Sequence, residues 1–225
     1  MGIALGLAGL LATAPLSLSL SSNIPHLTCA LRLDPLAAFF VLTISLVALP
    51  ASIYAFGYME EFSGRISVGA VGSLLNGFLL SMTLVVLADN GFFFLILWEI
   101  MSLLSYLLVV TEHEKPGVRE AGLFYLIMTH VGTAFIMLTF LIFAREAASF
   151  SFEAFRHPAR AIPDGVRSMA FFAALIGFGA KAGIVPLHVW LPYAHPAAPS
   201  HISGVMSGVM IKTAIYGLIR VYFDF

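Results

Sequence analysis

Seven apolar blocks run along the chain, at residues 1–20, 35–57, 66–88, 91–111, 119–144, 167–191 and 200–223. The polar breaks between them lie at Ser21 to Asp34, Glu60 to Arg65, Asp89-Asn90-Gly91, Glu112 to Glu120, Arg145 to Arg167 and Pro192 to Pro199. A hydrocarbon core about 30 Å thick is crossed by about 20 apolar residues in helical form, so each block predicts a spanning helix. Closed barrels, the other backbone solution in lipid, need hydrophobicity that alternates with period two, whereas these runs are continuously apolar. The pattern therefore predicts an all-α polytopic membrane protein of about seven transmembrane helices. Ala12-Thr13-Ala14 in the first block resembles a secretory cleavage site, but no Lys or Arg precedes Arg32. The positive segment of a signal peptide is missing, and the block is read as a spanning helix.

Composition agrees. Of 225 residues, 60% are hydrophobic and 10% charged, which excludes a soluble domain, nucleic-acid binding and cytosolic catalysis. Net charge is -1, and no polybasic tail points to an anionic partner. Cys29 is the only cysteine, so the chain can form neither an intrachain disulfide nor a thiolate iron–sulfur cluster or Cys-rich zinc site. No cofactor is expected on this chain, and any redox group belongs to a partner. Seven spans place the two chain ends on opposite sides. Arg32, Arg145, Arg156, Arg160, Arg167 and Arg220 then share one face, against Arg65, Lys115 and Arg119 on the other. The positive-inside rule puts the first terminus outside and the 145–167 loop in the cytoplasm, in a bacterial or archaeal cytoplasmic membrane.

Three charges interrupt the apolar blocks. Glu99, Lys181 and Lys212 fall roughly 12 to 21 Å from their helix starts, near the middle of a bilayer. Each costs roughly 2.5 to 3.5 kcal/mol to insert, so three of them need a pairing or a function. A static ion pair of Glu99 with one lysine would leave the other lysine unexplained. A proton relay in the membrane plane would use all three, with Glu99 and Lys181 as a coupled acid–base pair in which the carboxylate controls the lysine's proton. His130, at similar depth, is either a satisfied core residue or a fourth member, flanked by Thr129 and Thr133. Ser102 and Tyr106 extend a polar stripe from Glu99 at helical spacing. Gly204, Gly208, Lys212 and Tyr216 recur every four residues, so a neighbouring backbone can approach beside the lysine.

The sixth block carries its own interruption. Pro186 lacks an amide hydrogen and clashes with the Ala182 carbonyl, and Gly177, Gly179 and Gly183 weaken the same turns. The helix is predicted to break just after Lys181, between Gly183 and Pro192, with His188 near the break. Broken helices of this kind belong to transport sites near the midplane. Other motifs are weak. Gly177-x-Gly179-x-x-x-Gly183 lacks dinucleotide spacing, and His188, His195 and His201 lack the companions a zinc site needs.

The run Leu87-Ala-Asp-Asn-Gly-Phe-Phe-Phe-Leu-Ile-Leu-Trp-Glu99 with Ser105-Tyr106, and the later Gly179-Ala-Lys181-Ala-Gly-Ile-Val-Pro-Leu-His188-Val-Trp-Leu-Pro192-Tyr-Ala-His195-Pro, resemble the antiporter-like proton-pumping subunits of respiratory complex I. That family includes the large Mrp-type cation/proton antiporter subunits and the membrane subunits of group 4 NiFe hydrogenases. The ending His195-Pro-Ala-Ala-Pro-Ser-His-Ile-Ser-Gly-Val-Met-Ser-Gly-Val-Met-Ile-Lys212 is most similar to the formate-hydrogenlyase and hydrogenase-4 branch. The resemblance implies a relay through Glu99, the lysine beside the break, Lys181, and a central lysine on the next helix, Lys212. His130 matches no family position. Family members have about fourteen spans in two inverted repeats. The chain then holds N-terminal helices at 1–88 and a five-helix repeat at 89–225, as a fragment, split-gene product or shortened paralogue. A further chain would complete the second repeat, beside other membrane subunits and peripheral redox subunits. The function expected is that of a proton-translocating half-channel in a membrane-bound oxidoreductase. The alternatives are a cation/proton antiporter subunit or a relay-inactive assembly scaffold.

Overall fold

The computed structural model describes residues 1–21, 23, 27–60, 67–158 and 162–225. Arg65 and Arg160 lie outside the described residues. Among the described residues, six helices are long and apolar enough to cross a membrane. They are α2 (Pro35–Glu60), α3 (Val68–Leu87), α4 (Gly91–Val109, prolonged by a 3-10 turn to Glu112), α5 (Val118–Ala147), an interrupted span over Asp164–Ala197, and a last helix over Ser200–Asp224. The helical membrane architecture follows the sequence expectation.

The first block differs from the expectation. Only Gly2–Leu11 is helical (α1), followed by an antiparallel hairpin of β1 (Leu16–Ser21) and β2 (Thr28–Leu33), with Leu16 opposite Leu33 and Leu20 opposite Cys29. Ten residues span about 15 Å, half a bilayer. Pro15 cannot continue the helix, and Leu16-Ser-Leu-Ser-Leu-Ser alternates with the period of a strand. Gly2, Gly6 and Gly9 face Ser45, Leu42 and Ala38, so α1 runs antiparallel along the first half of α2. The six long helices alternate in direction, so the start of α2 and the end of the last helix share one face. Arg32 and Arg220 share that face, as the sequence expectation has it; what differs is α1, which at ten residues is not a seventh span.

Local chemistry sets the helix starts. Asp34 Oδ1 accepts the Ala37 amide at 2.9 Å ahead of Pro35, Asn90 caps α4 by accepting the Phe93 amide at 3.0 Å, and Ser67 caps α3. The hairpin is tied to the α3–α4 turn by the Asp89 amide on the Ala30 carbonyl, and that turn to the short α6 (Phe152–Arg156) by the Phe152 amide on the Asp89 carbonyl. Charges gather at this end of the bundle: Arg32 pairs with Glu153, Arg156 with Asp89 and Asp224, and Arg220 with Asp34. Burial keeps the Asp89 carboxyl above its ordinary value in spite of Arg156. Inside, Phe178 packs edge to face on Phe94 and Trp98, Phe140 does so on Phe94, and Phe152 lies tilted against Phe94. Outside, Ile53, Leu80, Leu123 and Phe172 are exposed, as suits a lipid-facing surface.

Candidate proton relay

Helix α7 (Asp164–Ala182) carries Lys181 on its last turn. It packs against α5 at a place where the two backbones nearly touch: a Cβ added at Gly177 would stand 2.8 Å from the Gly132 carbonyl oxygen. That approach pushes Lys181 into the bundle, where it is 1% exposed. Its Nζ donates to Tyr125 Oη at 2.7 Å and to Ser102 Oγ at 3.1 Å, and it lies 4.8 Å from the centre of the Tyr125 ring. Tyr125 Oη is 2.5 Å from Ser105 Oγ, and Ser105 donates to the Ser102 carbonyl at 2.8 Å. Three hydroxyls thus surround one amine.

Glu99 takes a different partner. Its Oε2 stands 3.2 Å from His130 Nε2, whereas it forms no ion pair with Lys181. Any coupling of Glu99 to Lys181 is therefore not through a direct contact, since the carboxylate meets His130. The reason is angular: Glu99 precedes Ser102 by three residues, which turns it roughly 60° around α4 from the serine that meets Lys181. His130 Nδ1 is 2.9 Å from the Leu126 carbonyl, an acceptor only, so Nδ1 carries a hydrogen. A hydrogen bond at Nε2 then requires a hydrogen on the imidazole nitrogen or on the carboxyl. The Glu99 and His130 side chains are 30% and 49% exposed, which places the pair on the outer face of the bundle. Glu99 Oε1 is buried and has no partner among the described residues.

The helix break lies where the sequence places it, with one adjustment. α7 ends at Ala182, Gly183 takes a φ of 71°, and the Val185–Pro186 peptide is cis. A 3-10 turn, Leu187–Trp190, leads into α8 (Leu191–Ala197). The Ile184 amide bonds Gly179 instead of Ala180, and Trp190 Nε1 takes over the Ala180 carbonyl at 2.7 Å. Pro192 belongs to the first turn of α8, where a missing amide is harmless, so it starts the resumed helix and does not prolong the break. His188 sits half-buried in the 3-10 turn with Nδ1 unpartnered among the described residues, outside the Lys181 hydrogen-bond group.

Lys212 is not joined to that group either. It lies on the last helix, α9 (Ser200–Asp224), is exposed, and bonds the Ser207 carbonyl within a π-helical segment, Met206–Met210. Between the two lysines stand Met210, whose sulfur meets Tyr125 Oη at 3.5 Å, and Thr213, bonded to the Met210 carbonyl. His195 Nδ1 contacts Ser203 Oγ at 3.0 Å. Tyr125 carries no signal in the sequence because it is uncharged, and Ser105 stands out only as part of the Ser105-Tyr106 motif, with no role attached to it.

Residues 88–225 match the family model for the transmembrane region of NADH:quinone oxidoreductase/Mrp antiporter proteins, and residues 20–65 match that for the N-terminus of NADH-ubiquinone oxidoreductase (complex I) chain 5. Hydrogenase-4 component B of Escherichia coli is 45% identical over 194 residues, 86% of this chain and 28% of that protein. An NAD(P)H-quinone oxidoreductase chain 4 of Synechococcus is 36% identical over 136 residues, 60% of this chain and 26% of that protein. The structure of the Mrp complex from Dietzia sp. DQ12-45-1b includes a chain that superposes with a TM-score of 0.81 at 21% identity, covering 100% of this chain and 25% of the other. The chain thus spans between a quarter and a third of the length of these relatives.

Proposed function

The chain belongs to the NADH:quinone oxidoreductase/Mrp antiporter membrane family, and we propose that it forms a proton-translocating half-path within a membrane-bound oxidoreductase complex. The observation that carries this reading is Lys181, buried on hydroxyls at a helix break, while Glu99, a turn from Ser102 on α4, contacts His130 of α5. A buried cation with no carboxylate on it is costly to hold, and its surroundings offer hydroxyls that can hydrogen-bond either form. Protonating Glu99 removes the nearest negative charge and favours release from Lys181; returning that charge favours reloading. The path then runs from the Glu99–His130 pair through Ser102 and Lys181 toward Lys212, with water bridging the Met210 gap. His188 lines the route past the break.

Hydrogenase-4 component B, the relative at 45% identity, supports a hydrogenase-type complex over other assemblies. Its redox groups would be held by peripheral partners, with none on this chain. Lys212, exposed on α9, would be covered by further polypeptide, either the rest of a longer chain or another membrane subunit. The loop at 145–167 would face the cytoplasm of a bacterial or archaeal cell. The test is proton flux into vesicles containing the complete assembly. Lys181→Ala is expected to abolish flux with assembly intact, and undiminished flux in that variant would refute the relay. Sodium exchange without proton pumping would favour the antiporter alternative.

A further inference from the structure

We propose that Tyr125 is a positioning residue for Lys181, its hydroxyl turning between two hydrogen bonds as the lysine gains and loses a proton. The role presupposes that Lys181 exchanges protons, as proposed above. Tyr125 lies on α5 and is fully buried. Its ring packs 4.9 Å from that of Trp190, the same Trp190 that holds the carbonyl beside Lys181. The ring is thereby fixed, and the hydroxyl hydrogen is the part left free to turn.

The donors can be assigned from chemistry. An ammonium has three hydrogens and no lone pair, so toward Lys181 the Tyr125 oxygen must accept. Its own hydrogen then goes to Ser105 Oγ, and the Ser105 hydrogen to the Ser102 carbonyl, which can only accept. The charged state has one consistent order: Lys181 to Tyr125 to Ser105 to backbone. A neutral amine reverses the order. Its new lone pair needs a donor, and the phenol meets that need by rotating its O–H from Ser105 to Lys181, while Ser105 turns its own hydrogen from the carbonyl to the Tyr125 oxygen, so that the 2.5 Å contact keeps a hydrogen. No bond to carbon, nitrogen or oxygen is broken in Tyr125, and the transferred proton leaves from Lys181 Nζ itself. Met210 Sδ, 3.5 Å from Tyr125 Oη, is a weak acceptor along the way.

A phenylalanine would fill the same space and serve neither state. Ionisable groups on the surrounding elements include Glu99 and Tyr106 on α4, His130 on α5, His188 and His195 beyond the break, and Lys212 and Tyr216 on α9. None of them forms a hydrogen bond or ion pair with Lys181. Losing an acceptor for a charged donor hurts the ammonium more than losing a donor hurts the amine. The variant should therefore hold the proton less well.

The experiment measures proton flux by the complete assembly in vesicles between pH 5 and 9, for wild type, Tyr125→Phe and Lys181→Ala. Tyr125→Phe is expected to reduce maximal flux on the order of tenfold and to displace the flux profile toward lower pH by about one unit. A second replacement, Ser105→Ala, leaves the phenol in place but removes the acceptor of its hydrogen in the charged state. It should displace the profile the same way by less, and it decides the matter if Tyr125→Phe fails to assemble. A profile in either variant that overlays that of wild type, with Lys181→Ala inactive, would overturn the role of Tyr125 alone. Full flux in Lys181→Ala would instead overturn the relay on which it rests.

Discussion

Arg220 Nη2 donates to Asp34 Oδ1 at 2.6 Å, joining the end of the last helix to the start of α2. Both side chains are largely buried. Burial pushes the Asp34 carboxyl up, but Arg220 and the Ala37 amide outweigh it and hold the group below its ordinary value. Because the folded-state value is depressed, the stabilisation is present at neutral pH and is lost as pH falls through that value, below about pH 4. Asp34→Asn leaves the guanidinium with Asp224 and Tyr216 only, and is expected to cost about 3 kcal/mol. Thermal unfolding in detergent from pH 3 to 7 should show an acid-side loss in wild type and a flatter curve in the variant. An equally steep acid limb in Asp34→Asn would place the titrating group elsewhere.

The contact of Glu99 with His130 gives a second expectation. His130→Gln can donate to the carboxylate but can neither accept nor carry its proton. Flux through the assembly should fall by at least about tenfold. His130→Arg should be no better, because a permanent cation keeps Glu99 ionised. Both variants should assemble normally, as read by copurification of the other subunits. Wild-type flux in either of them would contradict a part for the Glu99–His130 contact in the path.

Much of this arrangement was legible in the sequence for identifiable reasons. Mid-block charges at Glu99, Lys181 and Lys212 stand out against apolar neighbours because lipid penalises them, and Pro186 with Gly183 announces the break through backbone geometry alone. What was not legible depends on rotation about helix axes. Whether Glu99 meets Lys181 or His130 is settled by the packing of α4 against α5 and α7, which periodicity does not fix. Tyr125 and Ser105 are unremarkable in an apolar run until α7 brings an amine to them. Asp34 and Arg220 read as ordinary interfacial charges, and only the antiparallel course of the helices makes them partners. The hairpin was missed for a simpler reason: the Leu-Ser alternation at 16–21 carries a strand period inside a block whose length suggested a helix.

Trp190 offers a test of the break. Its indole hydrogen satisfies the Ala180 carbonyl, which the turn at Gly183 has deprived of its helical partner. Trp190→Phe keeps an aromatic ring against Tyr125 but leaves that carbonyl unpaired in an apolar interior, at a cost of about 1 to 3 kcal/mol. Amide exchange at residues 180–187 should quicken while the aromatic cluster around Phe94 and Phe178 stays protected. Gly183→Ala should act on the same stretch, since a φ of 71° costs an L-residue with a Cβ about 1 to 2 kcal/mol. Unchanged exchange in both variants would mean that the break is held by other contacts.

The contact between α5 and α7 sets how far Lys181 reaches. At Gly177 an added Cβ would stand 2.7 Å from the Ile136 amide nitrogen and 2.8 Å from the Gly132 carbonyl oxygen, both backbone atoms that cannot swing aside. Gly177→Ala must therefore separate the helices. Lys181 lies one turn further along α7, so the displacement is carried to its amine, and a 2.7 Å bond to Tyr125 tolerates little lengthening. The expected result is a destabilisation of about 1 to 3 kcal/mol together with a loss of flux larger than that of an apolar substitution on the lipid-facing side, such as Phe172→Ala. Gly132→Ala meets the Gly177 carbonyl at 2.9 Å and should behave alike. If both alanine variants assemble and carry protons at the wild-type rate, close packing at this crossing does not govern the position of Lys181.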